Sequence, residues 1–397
     1  MNEMTVYIKK QPYRVLLFLL LLLTMACSTK EPPKLTENDV ALEWANMTLL
    51  ITRFTPSNSP TFASRAFGYI GLTMYESIVP GFKDHASMDG QLNEFDVLPK
   101  IDPTKEYNWV LSLNAGQAEI LKNIYVQTSE ENIQKIDSLE QVIYSQFQLG
   151  IDEETVRRSV EFGKSVAKSI FDWSKIDGGH RGYLYNFDKT MVHPDRPGSW
   201  KPPLFAQSFS HHPLHPHWGK NRTFAITNEK LEDPQIIPYD TTPGSAYYQQ
   251  FENVYLKDLQ LTKQEKEAAI WWGDDPDVSF TPPGHSYYFG ILALEGHDST
   301  LIENAQVFAQ LGMAVADAFI NCWKWKYQFF TERPNTFIPK YIDMEWESFW
   351  PDPPFPSFPS GHAIQAAAAA TILENNFGKE FTFTDSCLLY TSDAADD

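Results

Sequence analysis

Cysteine is scarce in this chain, with three among 397 residues. Cys27, Cys322 and Cys387 lie too far apart to form a thiolate zinc site, and three thiols do not make a disulfide framework. Positive charge is also scarce, because 32 Lys and Arg stand against 51 Asp and Glu and the net charge is −19. Phosphate backbones repel a chain this acidic, which excludes a general nucleic-acid binder.

Long apolar runs are missing as well, apart from nine residues at 15–23. A membrane span needs about 20 apolar residues, so this run is too short to cross a bilayer. Basic residues precede it and Ala26-Cys27 follows it, a pattern that predicts a lipoprotein signal over 1–26. We expect Cys27 to carry a lipid as the membrane contact, 27–37 to be a linker, and the protein to be exported to a bacterial cell envelope, in the periplasm or at the outer membrane. An ordinary signal peptide with an incidental Cys is the alternative.

Helical periodicity dominates the remaining chain, and strand signals are sparse. Apolar residues recur at helical spacing over 39–54, and further helices are predicted from Pro60, from Tyr107, after Thr128 and from Asp152. Capping-box patterns begin at Thr128, Thr262 and Thr300. The sequence therefore predicts an all-α fold class with a last helix over 360–376.

Residues 180–260 are rich in proline, histidine and aromatic side chains and lack this periodicity. The region predicts a long structured loop, and such loops are often functional. Within it, four histidines lie inside 211–217, which could bind a metal. Two prolines stiffen the run and no Cys, Asp or Glu joins it, so a hydrogen-bonded loop or a pocket wall is the favoured interpretation.

Two later segments carry residues suited to anion binding. Lys326 and Arg333 are seven residues apart, about two helical turns, and so could face the same side. Ser360, Gly361 and His362 precede an alanine-rich helix, whose first turn presents free N–H groups and a positive dipole end. Arg offers a planar fork and Lys a point charge to oxyanions, while His titrates near neutral pH. Together these residues predict a cradle for a tetrahedral or trigonal-bipyramidal oxyanion such as phosphate or vanadate.

Each of these residues also has a purely structural explanation. A Ser-Gly pair before a helix is commonly a cap, and cations near helix ends are commonly solvated. Pro334 predicts that the preceding helix stops and that Arg333 leaves helical geometry. The combination of Lys-x6-Arg-Pro with Pro-Ser-Gly-His is what favours a functional site.

These two motifs resemble the first two signature motifs of the superfamily that joins vanadium-dependent haloperoxidases with type 2 phosphatidic acid phosphatases. The resemblance runs over about 38–385 and implies a helical bundle of the vanadium haloperoxidase and acid phosphatase type. Three upstream segments look like the family's early helices and its bacterial haloperoxidase-like branch: Ala63-Ser64-Arg65-Ala66 with Met74-Tyr75-Glu76, Pro216-His217-Trp218-Gly219, and Thr281-Pro282-Pro283-Gly284-His285.

The resemblance also implies roles for individual residues. Oxyanion binding falls to Lys326, Arg333, Ser360 and Gly361, and acid–base catalysis to His362. Trp323, Phe355 and His285 would line a halide or substrate pocket, although aromatic residues at helical spacing are often core. The implied cofactor is vanadate for a haloperoxidase acting on hydrogen peroxide and halide, and none for a phosphatase acting on phosphate esters.

The family's third motif, with a second Arg and the His that ligates vanadium or attacks phosphorus, is not found after His362. None of the 35 residues that follow it is His or Arg. The run 386–397 does not resemble the family and looks like a non-native tail. We expect the domain to be incomplete and the printed chain to be inactive, because the metal-ligating His is absent from it.

Three functions remain open at this point. The first is a cell-envelope haloperoxidase-like enzyme, the second is an envelope acid phosphatase on the same scaffold, and the third is a non-catalytic surface lipoprotein. The two motifs alone do not separate the first from the second, because both chemistries stabilise charge at a five-coordinate centre.

Overall fold

The computed structural model describes residues 34–202, 212–276 and 278–385, and helices make up the architecture of these ranges. Within them the only β-pairing consists of isolated bridges, so the predicted all-α fold class is confirmed. The predicted signal segment with Cys27 and the tail 386–397 lie outside the described residues. The α-helices of the described ranges are α1 (Glu37–Phe54), α2 (Pro60–Glu76), α3 (Trp109–Ile124), α4 (Glu130–Phe147), α5 (Glu153–Ser174), α6 (Ala246–Asp258), α7 (Lys263–Trp271), α8 (Thr281–Glu295), α9 (Leu301–Phe329), α10 (Pro334–Tyr341) and α11 (Gly361–Phe377).

Helix α2 is the centre of the bundle, because every residue in it after Pro60 is buried. A helix buried on all sides must satisfy its polar side chains internally. Arg65 accordingly forms an ion pair with Asp177 at 2.6 Å, and Tyr69 donates to the same carboxylate at 2.8 Å. Helix α9 packs along α2 over the most extensive helix–helix contact of the fold, while α11 packs on α9 and α8.

Two glycines let α2 and α9 approach closely. A Cβ on Gly71 would lie 2.4 Å from the carbonyl oxygen of Phe308, and a Cβ on Gly312 would lie 2.3 Å from that of Phe67. Each glycine thus faces the backbone of the opposite helix, which cannot move aside as a side chain can. The close approach fixes the position of α9, the helix that carries Lys326.

We expect Gly312→Ala to destabilise the protein by about 2 kcal/mol. The added methyl group would clash with the backbone of α2, and this cost outweighs the higher helix propensity of alanine. Urea unfolding measures the effect. Gly296→Ala is the matched control, since a Cβ there would meet its nearest atom at an ordinary 3.7 Å. Equal stability of the two variants would contradict the close-approach argument.

The predicted capping boxes are confirmed at two of their three positions. Thr262 with Glu265 begins α7, and Thr300 with Glu303 begins α9. The prediction at Thr128 is wrong by one residue. The N-cap of α4 is Ser129, whose hydroxyl accepts from the backbone of Asn132.

The prediction of an unbroken loop over 180–260 is wrong at its end, where α6 forms. Its Tyr247, Tyr248 and Phe251 are buried against Phe337 of α10 and neighbouring residues in a second aromatic core. The helical pattern was hidden because tyrosines carry the apolar face. Helices α8 and α10 were not predicted either, since prolines in their first turns are also typical of loops. No helix of the described ranges is both long and apolar enough to span a membrane.

Candidate active site

The chain between Lys326 and Arg333 does not form one continuous helix. Helix α9 ends at Phe329, and Phe330 adopts a left-handed conformation with φ 55°. Pro334 is the first residue of α10, and Arg333 precedes it with extended backbone angles. The predicted departure of Arg333 from helical geometry is therefore confirmed, but the argument from two helical turns is wrong.

Backbone pairing brings the two motifs together instead. The carbonyl of Thr331 accepts from the backbone N–H of Ser357 at 3.0 Å. The hydroxyl of the same threonine accepts from the N–H of Phe358 at 2.8 Å. The segment 354–360 is thereby held against the α9–α10 connection, so that both cations meet this segment.

Lys326 is 1 % exposed and lies at the end of α9. Its ammonium donates to the carbonyls of Pro356 and Ser357 at 2.9 and 2.8 Å. Burial lowers the pKa of Lys326 to about 7, and the positive charge of Arg333 adds to the lowering. The two carbonyls leave the third N–H of the ammonium for another acceptor.

Arg333 meets the same segment from the start of α10. Its Nε donates to the carbonyl of Phe355 at 2.7 Å, and one terminal nitrogen lies 3.5 Å from that of Pro356. Burial lowers the pKa of Arg333 to about 10, while the charge of Asp352 acts in the opposite direction. Arg333 therefore stays charged near neutral pH.

The ring of Phe355 packs against both cations. The Lys326 ammonium lies 4.9 Å and the Arg333 guanidinium carbon 5.1 Å from its centroid. Within the described residues neither cation forms an ion pair with a carboxylate, although other Lys and Arg side chains do. One buried and one partly buried positive charge that face carbonyls and an aromatic ring make a site that favours an anion.

Ser360 is the N-cap of α11, and its Oγ accepts from the backbone N–H of Ala363 at 3.2 Å. Ser360 therefore caps the helix, as a serine before a helix commonly does. Capping uses the hydroxyl oxygen as an acceptor and leaves the hydroxyl proton available as a donor. Gly361 opens the helix, and a Cβ there would lie 3.8 Å from the ring of Trp323. The start of α11 thus has room for a group in front of its free N–H donors.

His362 lies on the exposed side of the first turn of α11. Desolvation by surrounding atoms lowers the pKa of its ring despite the exposure, and the nearby backbone of Trp272 acts in the opposite direction. The charge of Asp274 opposes this lowering, whereas Lys326 and His285 reinforce it. At neutral pH the imidazole is therefore mainly neutral and able to accept a proton.

Trp323 and Phe355 lie side by side, with ring centroids 5.0 Å apart. Trp323 is 1 % exposed, and its indole N–H donates to the carbonyl of Leu214 at 3.1 Å. Phe355 is only partly buried. Phe355, and not Trp323, is therefore the residue whose surface is accessible beside the cations.

His285 is held between two carboxylates rather than facing an open pocket. Its Nδ1 lies 2.7 Å from Asp274 and its Nε2 2.8 Å from Asp385. Trp272 stacks on the ring with centroids 5.2 Å apart. Burial works to lower the pKa of His285, but the hydrogen bonds and charges of the two carboxylates outweigh it and raise the pKa.

The segment 272–274 therefore links His285 to His362, and sequence reasoning missed it. Trp272 contacts both histidines, and the Asp274 carboxylate accepts a further hydrogen bond from Ser279 at 2.9 Å. The signal that could have found it is the pair of adjacent acidic residues and tryptophans shortly before the segment that contains His285. Sequence reasoning also missed Asp352, which lies beside Arg333. Isolated carboxylates are abundant in this chain, so nothing in the sequence distinguishes this one.

Comparison with known proteins finds vanadium haloperoxidases among the proteins that this chain resembles. A family profile described as the VCPO second helical-bundle domain matches residues 306–394. The vanadium chloroperoxidase of Curvularia inaequalis is 25 % identical over 431 aligned positions, covering 89 % of this chain and 68 % of that protein. The profile match includes both motifs.

Solved structures give the same result for the fold. The crystal structure of the first bacterial vanadium-dependent iodoperoxidase superposes with a TM-score of 0.79 at 27 % identity, covering 91 % of this chain and 86 % of that one. A holo-type bacterial vanadium-dependent chloroperoxidase superposes with a TM-score of 0.63 at 17 % identity, covering 87 % and 80 %.

These matches support the superfamily of vanadium-dependent haloperoxidases and type 2 phosphatidic acid phosphatases that the two motifs resemble. At this level of identity, the likeness to vanadium haloperoxidases supports a haloperoxidase-like function.

Proposed function

We propose that this protein is a vanadium-dependent haloperoxidase of the cell envelope, which oxidises halide with hydrogen peroxide. The observation that carries the proposal is the pair of cations, buried Lys326 and partly buried Arg333, which meet the segment before α11 and form no ion pair with a carboxylate among the described residues. Export to the envelope is supported by the signal pattern before Cys27.

The residues of the cradle fit the oxygens of vanadate, whereas the His that ligates the metal in the family is not found among residues 363–397. A tetrahedral oxyanion takes up hydrogen bonds through all its oxygens, and the cradle offers the ammonium of Lys326, the guanidinium of Arg333, the hydroxyl of Ser360 and the N–H of Gly361. When bound, vanadate supplies the centre at which hydrogen peroxide is activated toward halide. Phosphate fits the same donors, which is why turnover, and not binding, decides between the two activities.

The chain's own residues have separate tasks in this mechanism. Lys326 and Arg333 hold the anion and stabilise negative charge in a site screened from water. His362 accepts or donates a proton at the exposed edge of the cradle, as its neutral imidazole at pH 7 allows. The ring of Phe355 covers one side of both cations.

Halogenation is tested with vanadate, hydrogen peroxide and bromide, and phosphatase activity with a phosphate monoester in a parallel assay. The printed chain is assayed beside the chain extended by whatever its gene encodes beyond residue 385. We expect bromination by the extended chain and a loss of about a hundredfold in His362→Ala, because general acid–base catalysis contributes about 10²–10⁴-fold.

His297→Ala serves as the matched control, because this exposed histidine follows α8, contacts the Ala293 carbonyl and the ring of Phe377, and lies outside the cradle. Phosphate release without bromination would replace the proposal by the phosphatase. Inactivity in both assays, with no vanadate binding, would favour the non-catalytic lipoprotein.

A further inference from the structure

A cavity of about 430 Å³ lies between the segments 178–189 and 215–221, apart from the cradle residues. Its size falls in the range of small-molecule binding sites. Charged or amide side chains are few in its lining, whereas ring side chains are frequent. These rings belong to His180, Tyr185, Phe187, His215, His217 and Trp218.

The floor of the cavity is a rigid pair of rings. His215 stacks on Trp218 with centroids 4.6 Å apart and planes 22° from parallel. Both nitrogens of His215 are used by the protein, one toward the Thr61 hydroxyl and one toward the Gly182 carbonyl at 3.0 Å. Burial lowers the pKa of His215 to about 4, so the ring stays neutral. A neutral, flat and pre-organised floor suits a flat apolar molecule.

The mouth of the cavity is polar. His217 lies 3.4 Å from the Asp188 carboxylate, and its side chain is 67 % exposed. Hydrogen bonds from Thr190 hold Asp188 in place and lower its pKa, so the carboxylate is ionised at neutral pH. A ligand hydroxyl could donate to this carboxylate or accept from His217.

One residue, Leu214, separates the cavity from the cradle region. Leu214 pairs with Phe187 of the cavity lining in an isolated bridge, and its N–H donates to the Pro354 carbonyl at 2.9 Å. Its own carbonyl accepts from Trp323 at 3.1 Å and from Tyr327 at 2.7 Å. Leu214, which pairs with one residue of the cavity lining, thus also contacts residues of the cradle region.

We propose that this cavity is a binding site for a planar aromatic alcohol, with the ring on the Trp218–His215 floor and the hydroxyl at Asp188 and His217. The four histidines noted in the sequence are then explained in part by this site, since His215 and His217 build its floor and mouth. The binding itself is independent of vanadate.

The use of the site rests on the proposed haloperoxidase function. Hypohalous acid made from halide and hydrogen peroxide at the cradle is attacked by the electron-rich ring of the bound alcohol. A carbon–halogen bond forms as the halogen–oxygen bond breaks, the ring releases a proton, and the departing hydroxide takes up a proton to become water. The cavity would thus hold the acceptor one chain segment away from the source of the oxidised halogen.

The test measures binding of 4-ethylphenol to the full printed chain by calorimetry and ligand-observed NMR, with 4-ethylcyclohexanol as the non-planar probe. We expect the phenol to bind at least about tenfold more tightly, because only a flat ring stacks on the floor. We expect Tyr185→Ala combined with His217→Ala to weaken phenol binding by about tenfold. Both side chains are well exposed, so the fold does not depend on them.

Val192→Ala is the matched control, because Val192 is 88 % exposed and lies outside the lining. Equal binding of the two probes, or unchanged phenol binding in the double variant, overturns the site. If phenol binds as expected but the extended chain does not brominate, the site stands and the haloperoxidase function fails. Bromination without phenol binding refutes the site alone.

Discussion

Lys326→Met is expected to lower the affinity for a tetrahedral oxyanion by about a thousandfold. The ammonium is 1 % exposed and shares the segment 354–360 with Arg333. Removing one member of a buried, hydrogen-bonded charge contact costs about 2–5 kcal/mol, and each 1.4 kcal/mol is a factor of ten. Calorimetric titration with sulfate and with vanadate measures the loss. Sulfate serves because its charge does not change between pH 6 and 9.

The same side chain makes anion binding depend on pH. Burial lowers the pKa of Lys326 to about 7 in the free protein, so the ammonium is largely charged below that pH and loses its proton above it. An anion binds the charged form and must draw a proton onto Lys326 at higher pH. Sulfate affinity is therefore expected to fall as pH rises from 7 to 9, by up to about tenfold per pH unit.

Other titrating groups near the cradle either keep their charge state across this pH range or act in the same direction. Arg333, with a pKa lowered to about 10, stays charged up to pH 9. His362 has its pKa lowered from the usual value and is neutral throughout. Burial raises the pKa of Asp352, and any negative charge that this carboxyl gains as pH rises adds to the same fall in affinity.

Lys340→Met is the control, because Lys340 is exposed on α10. The substitution removes the same positive charge at a position outside the cradle. It should bind sulfate as the unmodified chain does, with the same pH slope. Lys326→Met should bind weakly with no slope above pH 7. Tight, pH-independent binding by Lys326→Met would show that the anion lies elsewhere.

The helix start at Ser360 and Gly361 could be predicted from the sequence because it depends on neighbouring residues. Ser360 and Gly361 stand directly before a strong helix former, so the helix N-terminus and its cap follow from the order of residues. Lys326 and Arg333 could be paired with them only through the family motif. The contact between these cations and the segment 354–360 depends on Thr331. Its hydrogen bonds with Ser357 and Phe358 join residues far apart in the sequence.

The parts that could not be predicted depend on tertiary contacts. Nothing near His285 in the sequence shows that Asp274 and Asp385 converge on it from opposite sides. Helix α6 was missed because its buried face is made of tyrosines, which become core only when α10 packs on them. Propensity and spacing fix helices, whereas ion pairs and interhelical contacts depend on how the helices are arranged.

His285→Phe is expected to destabilise the protein by about 3 kcal/mol at pH 6. The substitution keeps a flat ring under Trp272 but leaves the Asp274 carboxylate buried without its cation. Asp274 is 2 % exposed, and breaking a buried pair by removing one partner typically costs about 3–5 kcal/mol. Urea unfolding at several pH values measures the effect.

The sign of its pH dependence follows from the direction of the pKa shift. The carboxylates of Asp274 and Asp385 outweigh burial and raise the pKa of His285 above its unfolded value of 6.5. The protonated histidine therefore stabilises the fold fully below about pH 6.5, and this contribution is lost as pH rises through the raised pKa. The difference in stability between the unmodified chain and His285→Phe should shrink from pH 6 to pH 9.

His297→Phe is the matched substitution at a histidine that is exposed and whose ring contacts a backbone carbonyl, not a carboxylate. It should change stability by less than about 0.5 kcal/mol at each pH, as surface substitutions usually do. A pH-independent loss in His285→Phe would mean that packing alone is disturbed. A loss that shrinks with pH shows that the ion pair stabilises the segment 272–274, the segment whose backbone contacts His362.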